Sequence, residues 1–361
     1  MSKETLLLIA DSPLGDTSYA SVGKQLMQML KDKYELYWGG LQYIGKPLSV
    51  ENYTLLSFNN LQNSFTNLQL LKHVDHIIYI RNSWAIGTPG DPFRIIRPFS
   101  NDIILYTPVE ERMIPKRFFK GLHGYDKENN YYDRIVTMTK TGEDIITNIG
   151  VECDYLYHNL NEKKLNYTQY PDVQRNVLNI SYSMDYRKNL ATYLLIASKF
   201  KTLNFNWIGM STYYVIQDYL EFYKIKNFNI INNLNNMGSF NFLNDTTIAQ
   251  IYGSNNFYIQ TSFKEGFDLT VLEALSNGLI TIMPGDPIHK ELFYDYSNAI
   301  FLDGDYDYPG MNQLEYRVTL ETYIQSINKY NGMKKMGIIK KDRFSFDTVK
   351  SKLLKIVKNG D

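Results

Sequence analysis

The sequence predicts an α/β protein with two domains, and three observations support this prediction. Short apolar runs alternate with segments of helical periodicity, which is typical of strands joined by helices in a parallel sheet. The 361 residues are 44% hydrophobic, so the chain is long enough to bury two cores. A polar stretch at 159–175, which contains Pro171, separates two series of these runs and is the best candidate for a linker.

The positions of the apolar runs predict the individual elements. In the first series, strands are predicted at 5–10, 34–38, 76–80, 103–106, 135–138 and 155–157, with a helix at 19–30. In the second series, strands are predicted at 177–181, 205–208, 229–231, 257–260, 279–283 and 299–302, with a last helix at 347–358. These series predict an N-terminal domain at 1–165 and a second domain at 166–344.

Composition narrows the class of protein. Lys and Arg total 38, as do Asp and Glu, so the formal net charge is zero and no nucleic-acid partner is expected. Cys153 is the only cysteine, which excludes an internal disulfide and a cysteine-based zinc site. The N-terminus leads directly into the first predicted strand, and no apolar run approaches the roughly 20 residues of a membrane span. A cytoplasmic protein is therefore expected.

The segment at 263–278, Phe-Lys-Glu-Gly-Phe-Asp-Leu-Thr-Val-Leu-Glu-Ala-Leu-Ser-Asn-Gly, is the most informative part of the sequence. It follows the predicted strand at 257–260, and ligands bind beyond the carboxyl ends of the strands in parallel sheets. Glu265 precedes a predicted helix, and Glu273 lies in its second turn. Two carboxylates on either side of a helix start suit a ligand that combines a sugar, a diphosphate and a ribose.

The start of this helix has the features of an anion site. Gly266 lets the backbone come close to a ligand, and Asp268 is predicted to cap the helix. The amides of Leu269 and Thr270 would then point outward without a partner, and such amides attract phosphate. The alternative is an ordinary amphipathic helix after a buried strand.

The segment resembles the Glu-x7-Glu motif of the retaining GT-B glycosyltransferases, and glycosyltransferase family 4 in particular. The positions that match the family pattern are Glu265, Gly266, Phe267, Leu269, Leu272, Glu273, Ala274 and Gly278. Asp268 departs from the small residue that is commoner there, and the stretch at 285–291 resembles a structural turn of the family. The resemblance implies a GT-B fold, in which two Rossmann-like domains with parallel sheets face each other across a cleft. It also implies that a helix at about 345–361 crosses back to the first domain.

The resemblance further implies which residues bind a nucleotide-sugar donor. The segment at 181–189 resembles the part of the family that holds the donor diphosphate, with Lys188 at the position of the family's Lys. Tyr182 stands where many relatives place an Arg, so either Arg187 substitutes for it or this contact is weaker. The implied donor-binding residues are Gly15, Asn236, Met237, Gly238, Gly266, Phe267, Asp268, Leu269, Thr270 and Glu273.

Individual roles also follow from the resemblance. Glu273 would accept hydrogen bonds from the ribose hydroxyls, and Glu265 would bind hydroxyls of the transferred sugar. Lys188 would offset the charge that grows on the leaving diphosphate. Gly15, after the first strand, would bring backbone amides to the same diphosphate, although a simple turn between strand and helix explains it equally well.

The candidates for the acceptor side lie at the ends of strands in the first domain. Asn82 and Trp84 follow the strand at 76–80 and are candidates to line an acceptor pocket. Glu110 lies near the position where relatives often carry a His, which is absent here, and it either orients a substrate or caps a turn. A basic and aromatic segment at 112–120 either docks on an anionic membrane surface or buries its aromatic rings.

No metal and no other cofactor is predicted. Asp303, Asp305 and Asp307 have the spacing of a calcium loop. However, position six of that loop is Tyr308 instead of Gly, and Leu314 replaces the closing Glu. A solvated loop is therefore the favoured interpretation of this stretch.

The resemblance as a whole implies a retaining hexosyltransferase with Glu265, Lys188, Arg187 and Glu110 as catalytic candidates. Transfer would proceed by front-face displacement without a metal ion. The expected partners are a nucleotide-sugar donor and a glycan, lipid or protein acceptor, with peripheral contact at the inner membrane face as an option. Two alternatives stay open. One is a catalytically degenerate GT-B subunit that binds a sugar or a partner, and the other is a GT-B sugar epimerase.

Overall fold

The computed structural model describes residues 3–15, 17–82, 91–110, 132–168, 175–183, 186–210, 213–233, 243–307 and 315–358. They form an α/β protein whose chain divides into two compact units. Unit 1 comprises Met1–Asn159 and Asp342–Asp361, and unit 2 comprises Leu160–Lys341. The predicted α/β class is confirmed, because each unit is built on a sheet of mainly parallel strands.

Unit 1 contains an eight-stranded sheet in the order β3-β4-β2-β1-β5-β6-β7-β8. These strands are β1 (Glu4–Ala10), β2 (Tyr34–Gly40), β3 (Leu48–Val50), β4 (Tyr53–Ser57), β5 (His76–Ile80), β6 (Ile103–Thr107), β7 (Arg134–Thr137) and β8 (Asp154–Tyr155). Neighbouring strands are parallel except β3 and β4, which pair antiparallel. The sequence pattern predicts neither strand of this hairpin; β3 has three residues and is mostly exposed, so it forms no apolar run.

The helices of unit 1 follow its strands. Within the described residues up to Asn159 they are, in chain order, α1 (Ser18–Leu30), α2 (Leu61–Leu71), α3 (Phe93–Ile96) and α4 (Lys140–Asn148). The hydroxyl of Thr17 caps α1 by accepting a hydrogen bond from the amide of Ala20 at 3.1 Å. Gly23 in α1 allows close packing on β2, because a Cβ atom there would come within 2.5 Å of the Trp38 ring. Leu7 and Ile77 belong to the buried apolar core of this unit.

Unit 2 contains a six-stranded sheet in the order β11-β10-β9-β12-β13-β14, and all of its neighbouring strands are parallel. The strands are β9 (Asn176–Ser183), β10 (Asn204–Met210), β11 (Phe228–Asn233), β12 (Phe257–Ile259), β13 (Ile280–Pro284) and β14 (Ala299–Leu302). The helices are α5 (Leu190–Lys199), α6 (Tyr213–Phe222), α7 (Asp245–Gly253), α8 (Leu269–Ser276), α9 (Pro287–Phe293) and α10 (Leu320–Tyr330). The buried rings of Tyr193 and Trp207 belong to the core of this unit.

A two-stranded antiparallel hairpin, β15 (Asp305–Asp307) and β16 (Glu315–Arg317), also belongs to unit 2. It corrects the interpretation of Asp303, Asp305 and Asp307 as a solvated loop. The side chains of β15 are exposed as that interpretation requires, but the backbone of β15 is paired with β16.

The last helix, α11 (Phe346–Lys358), belongs to unit 1 although it follows unit 2 in the sequence. Arg134 in β7 donates a hydrogen bond to the carbonyl of Ile356 in this helix. Lys350 forms an ion pair with Asp32 at 3.5 Å. The chain therefore returns to its first unit after completing the second.

Candidate active site

The candidate site lies at the carboxyl ends of β9 and β12, where the strand order of unit 2 reverses. The chain continues from β9 to β10 and β11 on one side, and from β12 to β13 and β14 on the other. In open parallel sheets such a switch point leaves a crevice in which ligands bind. The predicted site residues Lys188 and Glu265 lie in the loops that follow these two strands.

Glu265 is the centre of the charged contacts in this site. Its Oε1 accepts a hydrogen bond from Nζ of Lys188 at 2.5 Å, and its Oε2 lies 3.6 Å from Nη1 of Arg187. Glu265 is only 6% exposed, and a carboxylate this buried needs cationic partners because removing an unpaired charge from water is costly. The structure therefore brings together three of the four predicted catalytic residues.

Backbone contacts fasten the two loops to each other. The amide of Phe263 donates to the carbonyl of Arg187 at 2.9 Å, and the hydroxyl of Thr261 donates to the carbonyl of Lys188 at 3.0 Å. Asn189, the residue after Lys188, has a φ of 49° in the left-handed region. Asn tolerates this conformation better than most residues, and the turn ends the loop directly before α5.

The start of α8 has the predicted cap. Oδ1 of Asp268 accepts hydrogen bonds from the amide of Val271 at 3.2 Å and from the hydroxyl of Thr270 at 2.9 Å. Asp268 is thus confirmed as the N-cap. Among the described residues, no acceptor is found for the backbone amides of Leu269 and Thr270. Gly266 is buried in the bend before the cap, and Phe267 beside it is half-buried.

Glu273, the second carboxylate of the motif, has its own partners. Its Oε1 accepts a hydrogen bond from Nζ of Lys164 at 2.7 Å, and its Oε2 accepts one from the hydroxyl of Tyr252 at 3.0 Å. Burial and the adjacent Glu273 carboxylate raise the pKa of Tyr252, so its hydroxyl stays a donor. Sequence reasoning did not identify Lys164 or Tyr252, which lie in other elements far along the chain.

The family-matching Gly278 has a structural explanation at the end of α8. It has a φ of 79°, and a Cβ atom there would lie 2.1 Å from the carbonyl oxygen of Met336. The amide of Gly278 donates to the carbonyl of Leu275 at 2.9 Å, and that of Leu279 donates to the carbonyl of Ala274 at 3.1 Å. This pair of bonds is a Schellman motif, which ends the helix at Ser276, three residues after Glu273.

Two further groups near the motif were missed at the sequence level. The first is His289 in α9, which is fully buried and lies between the carboxylates of Asp268 and Asp286. The resemblance implies a structural turn at 285–291. Only the pattern Asp-x-x-His, in which an N-cap carboxylate can meet an imidazole one turn later, offered a signal for this contact.

The second group is the hairpin of β15 and β16. The guanidinium of Arg317 in β16 lies 5.0 Å from the centre of the Phe263 ring, and it donates a hydrogen bond to the hydroxyl of Tyr186. Phe263 is two residues before Glu265, and Tyr186 is two residues before Lys188. The hairpin therefore braces both loops of the site.

The candidates in unit 1 have local partners. The amide of Gly15 donates to the carbonyl of Ser12 at 2.9 Å, so it is used within its own turn. Oδ1 of Asn82 accepts a hydrogen bond from the hydroxyl of Tyr19. Glu110 is half-buried, three residues beyond the end of β6.

A polar cluster at the ends of β1 and β5 accompanies these candidates. Arg81 follows β5, and its guanidinium lies 3.7 Å from Asp11 and 3.9 Å from Asp91. Asp91 also accepts a hydrogen bond from the hydroxyl of Tyr79 at 2.7 Å.

Several predicted features lie outside the described residues. These are Trp84, Asn236, Met237, Gly238 and the basic and aromatic segment at 112–120. In the part of the chain that is described, no group of three or more His, Cys, Asp or Glu side chains is arranged to hold a metal ion. The helices in this same part include none with both the length and the apolar character that a membrane crossing requires.

No protein-family model matches the sequence, and no curated protein sequence matches it. Solved structures, by contrast, resemble the fold over nearly the whole chain. Sucrose-phosphate synthase from Thermosynechococcus elongatus superimposes with a TM-score of 0.68 at 10% sequence identity, and the match covers 98% of this chain and 95% of that one. A glycosyltransferase from Rickettsia africae has a TM-score of 0.65 at 14% identity, with 99% of both chains covered.

The Anabaena protein HepE in complex with UDP is a third similar structure. It has a TM-score of 0.63 at 12% identity, and the match covers 98% of this chain and 100% of that one. HepE has also been solved in complex with UDP-glucose. These likenesses establish the GT-B fold with its two Rossmann-like domains, as the sequence predicts.

Proposed function

We propose that this protein is a retaining glycosyltransferase that transfers a hexose from a nucleoside-diphosphate sugar to a glycan, lipid or protein acceptor. The observation that carries the proposal is the convergence of Lys188 and Arg187 on Glu265 at the switch point of unit 2. A nucleotide sugar has the matching groups, because its diphosphate pairs with cations and its hydroxyls donate to a carboxylate. The complexes of HepE with UDP and UDP-glucose support this class of donor.

Lys188 has the main electrostatic role in the proposed reaction. In the absence of donor, the ammonium group of Lys188 pairs with Glu265. When the donor binds, this ammonium group pairs with the diphosphate as well. As the bond between the sugar and the diphosphate breaks, negative charge grows on the leaving oxygen and the ammonium group stabilises it. Arg187 supplies a second cation on the same loop.

Glu265 has a positioning role and does not become a nucleophile. Its carboxylate accepts hydrogen bonds from hydroxyls of the transferred sugar and holds the anomeric carbon beside the acceptor. The acceptor oxygen attacks the face from which the diphosphate leaves, and a diphosphate oxygen takes the acceptor proton. The anomeric configuration is therefore retained. A glycosyl adduct on Glu265 in mass spectrometry, or an inverted product in NMR, would contradict this mechanism.

Glu273 is the proposed ribose acceptor. Each of its carboxylate oxygens accepts one hydrogen bond within the protein, from Lys164 or from Tyr252. A carboxylate oxygen has two lone pairs, so each oxygen can accept one more bond. Two ribose hydroxyls would use this remaining capacity, while Lys164 and Tyr252 hold the carboxylate in orientation.

The proposed reaction needs no divalent cation. Lys188, Arg187 and the amides at the start of α8 together offset the charge of the leaving diphosphate. We expect turnover to be unchanged by EDTA. Loss of turnover in EDTA and its return with magnesium or manganese would contradict this part of the proposal.

A screen of nucleotide sugars by thermal shift, followed by donor hydrolysis without acceptor, tests the proposed function. A donor at saturating concentration raises the midpoint of unfolding because it binds only the folded state. The donor selected in this way should then be hydrolysed slowly, with the released sugar and nucleoside diphosphate detected by NMR. A chain that binds none of the nucleotide sugars would refute the proposal.

One observation favours a second candidate function, a degenerate GT-B subunit that binds a sugar or a partner without turnover. Both motif carboxylates are nearly buried and engaged by cations of the same chain, Glu265 by Lys188 and Glu273 by Lys164. Such internal pairing stabilises a fold without any ligand. Measurable donor affinity without products, in the presence of a panel of acceptors, would support this candidate.

A further inference from the structure

His289 lies at the centre of a buried polar network beneath the loop that carries Glu265. It is 0% exposed. Its Nδ1 is hydrogen-bonded to Oδ2 of Asp286, the N-cap of its own helix α9, and its Nε2 lies 3.3 Å from Oδ2 of Asp268, the N-cap of α8. The imidazole therefore links the caps of two successive helices.

The geometry determines the charge of this imidazole. An ionised carboxylate only accepts hydrogen bonds, so each ring nitrogen that faces one must donate a proton. A neutral imidazole has one N–H group and would direct a lone pair at one of the two carboxylates. When both carboxylates are ionised, only the imidazolium satisfies Asp268 and Asp286.

The electrostatic balance agrees with this geometry. Burial alone would lower the pKa of His289, but the carboxylates of Asp286 and Asp268 outweigh it and raise the pKa to about 10. Burial alone would raise the pKa of Asp268, but His289, Lys188 and Gln260 outweigh it and lower the pKa to about 2. Burial raises the pKa of Tyr323, and the nearby carboxylate of Asp286 raises it further.

The network controls both ends of the loop between β12 and α8. Oδ2 of Asp268 accepts a hydrogen bond from Nε2 of Gln260, the first residue after β12. Oε1 of Gln260 in turn accepts hydrogen bonds from the amides of Thr261 at 2.9 Å and Ser262 at 3.1 Å. Glu265 lies between Gln260 and Asp268 in the sequence, so fixing these two residues restrains the backbone that presents it.

The negative charge of Asp268 is unfavourable for binding an anionic donor, and His289 offsets it. Its carboxylate is close enough to Lys188 to have its pKa lowered by that ammonium group. Without a counter-ion, this carboxylate would compete with an anionic donor for Lys188 and would repel the donor diphosphate.

We infer that His289 is a positioning residue. As a buried imidazolium it holds Asp268 in place and offsets the negative charge of that carboxylate. The loop that carries Glu265 therefore keeps its conformation, and the cation of Lys188 stays available to an anionic donor. The donor in this inference is the one in the proposed function, on which this part rests. The charge state of His289 follows from its two carboxylate partners and does not depend on the donor.

Calorimetry with UDP and GDP on three full-length variants tests the inference. His289→Gln removes the positive charge and should weaken binding of whichever nucleotide the wild type binds by about tenfold. The double variant Asp268→Ser with His289→Gln removes both charges but keeps a residue that can cap α8, and it should recover most of this loss. His76→Gln is the matched control, because His76 is a buried histidine paired with Asp102 at 2.6 Å in unit 1. It should leave nucleotide affinity unchanged.

A loss of affinity in the double variant equal to that in the single variant would overturn the inference, because a purely structural role is not rescued by removing Asp268. Unchanged affinity in His289→Gln would overturn it too. If His289→Gln does not fold, the double variant still decides, since a folded double variant with wild-type affinity supports the charge balance and one with lost affinity contradicts it.

NMR of protein labelled with ¹⁵N-histidine tests the charge state separately. The chain has five histidines, and the spectrum of the folded double variant assigns the signal of His289. This signal should have the shifts of an imidazolium at pH 8. A neutral imidazole at pH 7 would overturn the inference whatever the nucleotide results are. If the wild type binds no nucleotide, the proposed function and the donor part of the inference both fail, while the NMR signal still decides whether His289 is the counter-ion of Asp268.

Discussion

The charged groups at the strand ends are paired differently in the two units. In unit 2, Nζ of Lys188 and Oε1 of Glu265 are 2.5 Å apart. In unit 1, the guanidinium of Arg81 lies 3.7 Å from Asp11 and 3.9 Å from Asp91. The first pair is in direct hydrogen-bond contact, whereas the other two distances exceed hydrogen-bond range.

This difference distinguishes Lys188, which is hydrogen-bonded directly to its carboxylate, from Arg81, which is held near its carboxylates by longer-range attraction. Nε of Arg81 and Oδ2 of Asp91 are buried, and neither has a hydrogen-bond partner among the described residues. An unpaired buried polar atom costs about 1 to 3 kcal/mol, so the unit 1 cluster offers little net stabilisation. Changes to the hydrogen-bonded pair of Lys188 and Glu265 should therefore have large and specific effects, and changes to Arg81 smaller ones.

Lys188→Ala should have the largest effect on catalysis. Loss of the ammonium group removes the main stabilisation of the leaving diphosphate, and kcat for donor hydrolysis should fall by about 100- to 1000-fold. Lys199→Ala, at an exposed position near the end of α5, is the control for the loss of a lysine. Arg81→Met, the unit 1 counterpart, should change donor hydrolysis far less. An equal loss in the Lys188 and Arg81 variants would break the contrast between the units.

Glu265→Gln should have the next largest effect. The amide keeps the size of the side chain and one oxygen acceptor, but it loses the charge that engages Lys188 and the sugar hydroxyls. We expect kcat to fall by about 100-fold through lost positioning, with affinity for the nucleoside diphosphate nearly unchanged. Steady-state kinetics and calorimetry on the same preparation separate the two quantities. A large loss of nucleotide affinity would indicate that Glu265 acts at the diphosphate and not at the sugar.

Glu273→Ala should weaken binding of the nucleoside diphosphate by about 1.5 to 3 kcal/mol, which is about ten- to hundredfold in the dissociation constant. The carboxylate would lose one or two charge-assisted bonds from ribose hydroxyls. Lys164→Ala is the matched control, because it breaks the same ion pair but leaves the carboxylate in place. Calorimetry should show a smaller loss for Lys164→Ala. Equal losses would indicate that the ion pair, and not the ribose contact, determines affinity.

The parts of the site that the sequence predicts are those that depend on local pattern. The strands that carry the loops are apolar runs, and the cap at Asp268 depends on residues within one helix. The partners that complete the site come from distant segments. Lys164 is 109 residues from Glu273 in the sequence, so no local pattern links them.

The hairpin that braces the site was missed for a related reason. Each of its strands has only three residues, and the charged side chains of β15 are exposed. Such a segment has no apolar alternation, and its composition is also that of a loop. Its strand character depends on pairing with β16, in which Arg317 opposes Asp305.

Two buried histidines extend the contrast between the units to pH. Burial lowers the pKa of His158 in unit 1 to about 3, and its Nδ1 lies 3.0 Å from the hydroxyl of Tyr106. In the unfolded chain His158 has an ordinary pKa of about 6.5. As the pH falls, the unfolded chain therefore binds a proton at His158 before the folded protein does. The stability that neutral His158 contributes is therefore complete above about pH 6.5 and is lost as the pH falls towards 3. His289 in unit 2 has the opposite sign, because its pKa is raised to about 10 and its contribution is lost as the pH rises through that value.

The smallest predicted effect is the contribution of His158 to the pH dependence of the free energy of unfolding. One proton of linkage changes this free energy by at most about 1.4 kcal/mol for each pH unit, so the wild type should lose stability between pH 6.5 and pH 5 more steeply than His158→Gln. His76, also in unit 1, opposes this trend, because its partners Asp102 and Glu4 outweigh its burial and raise its pKa. The difference between variant and wild type is therefore the quantity to measure, by urea unfolding at several pH values. If the free energy of unfolding falls with pH equally steeply in the wild type and in His158→Gln, burial does not hold His158 in the neutral form. The contrast in pH dependence between the two units would then rest on His289 alone.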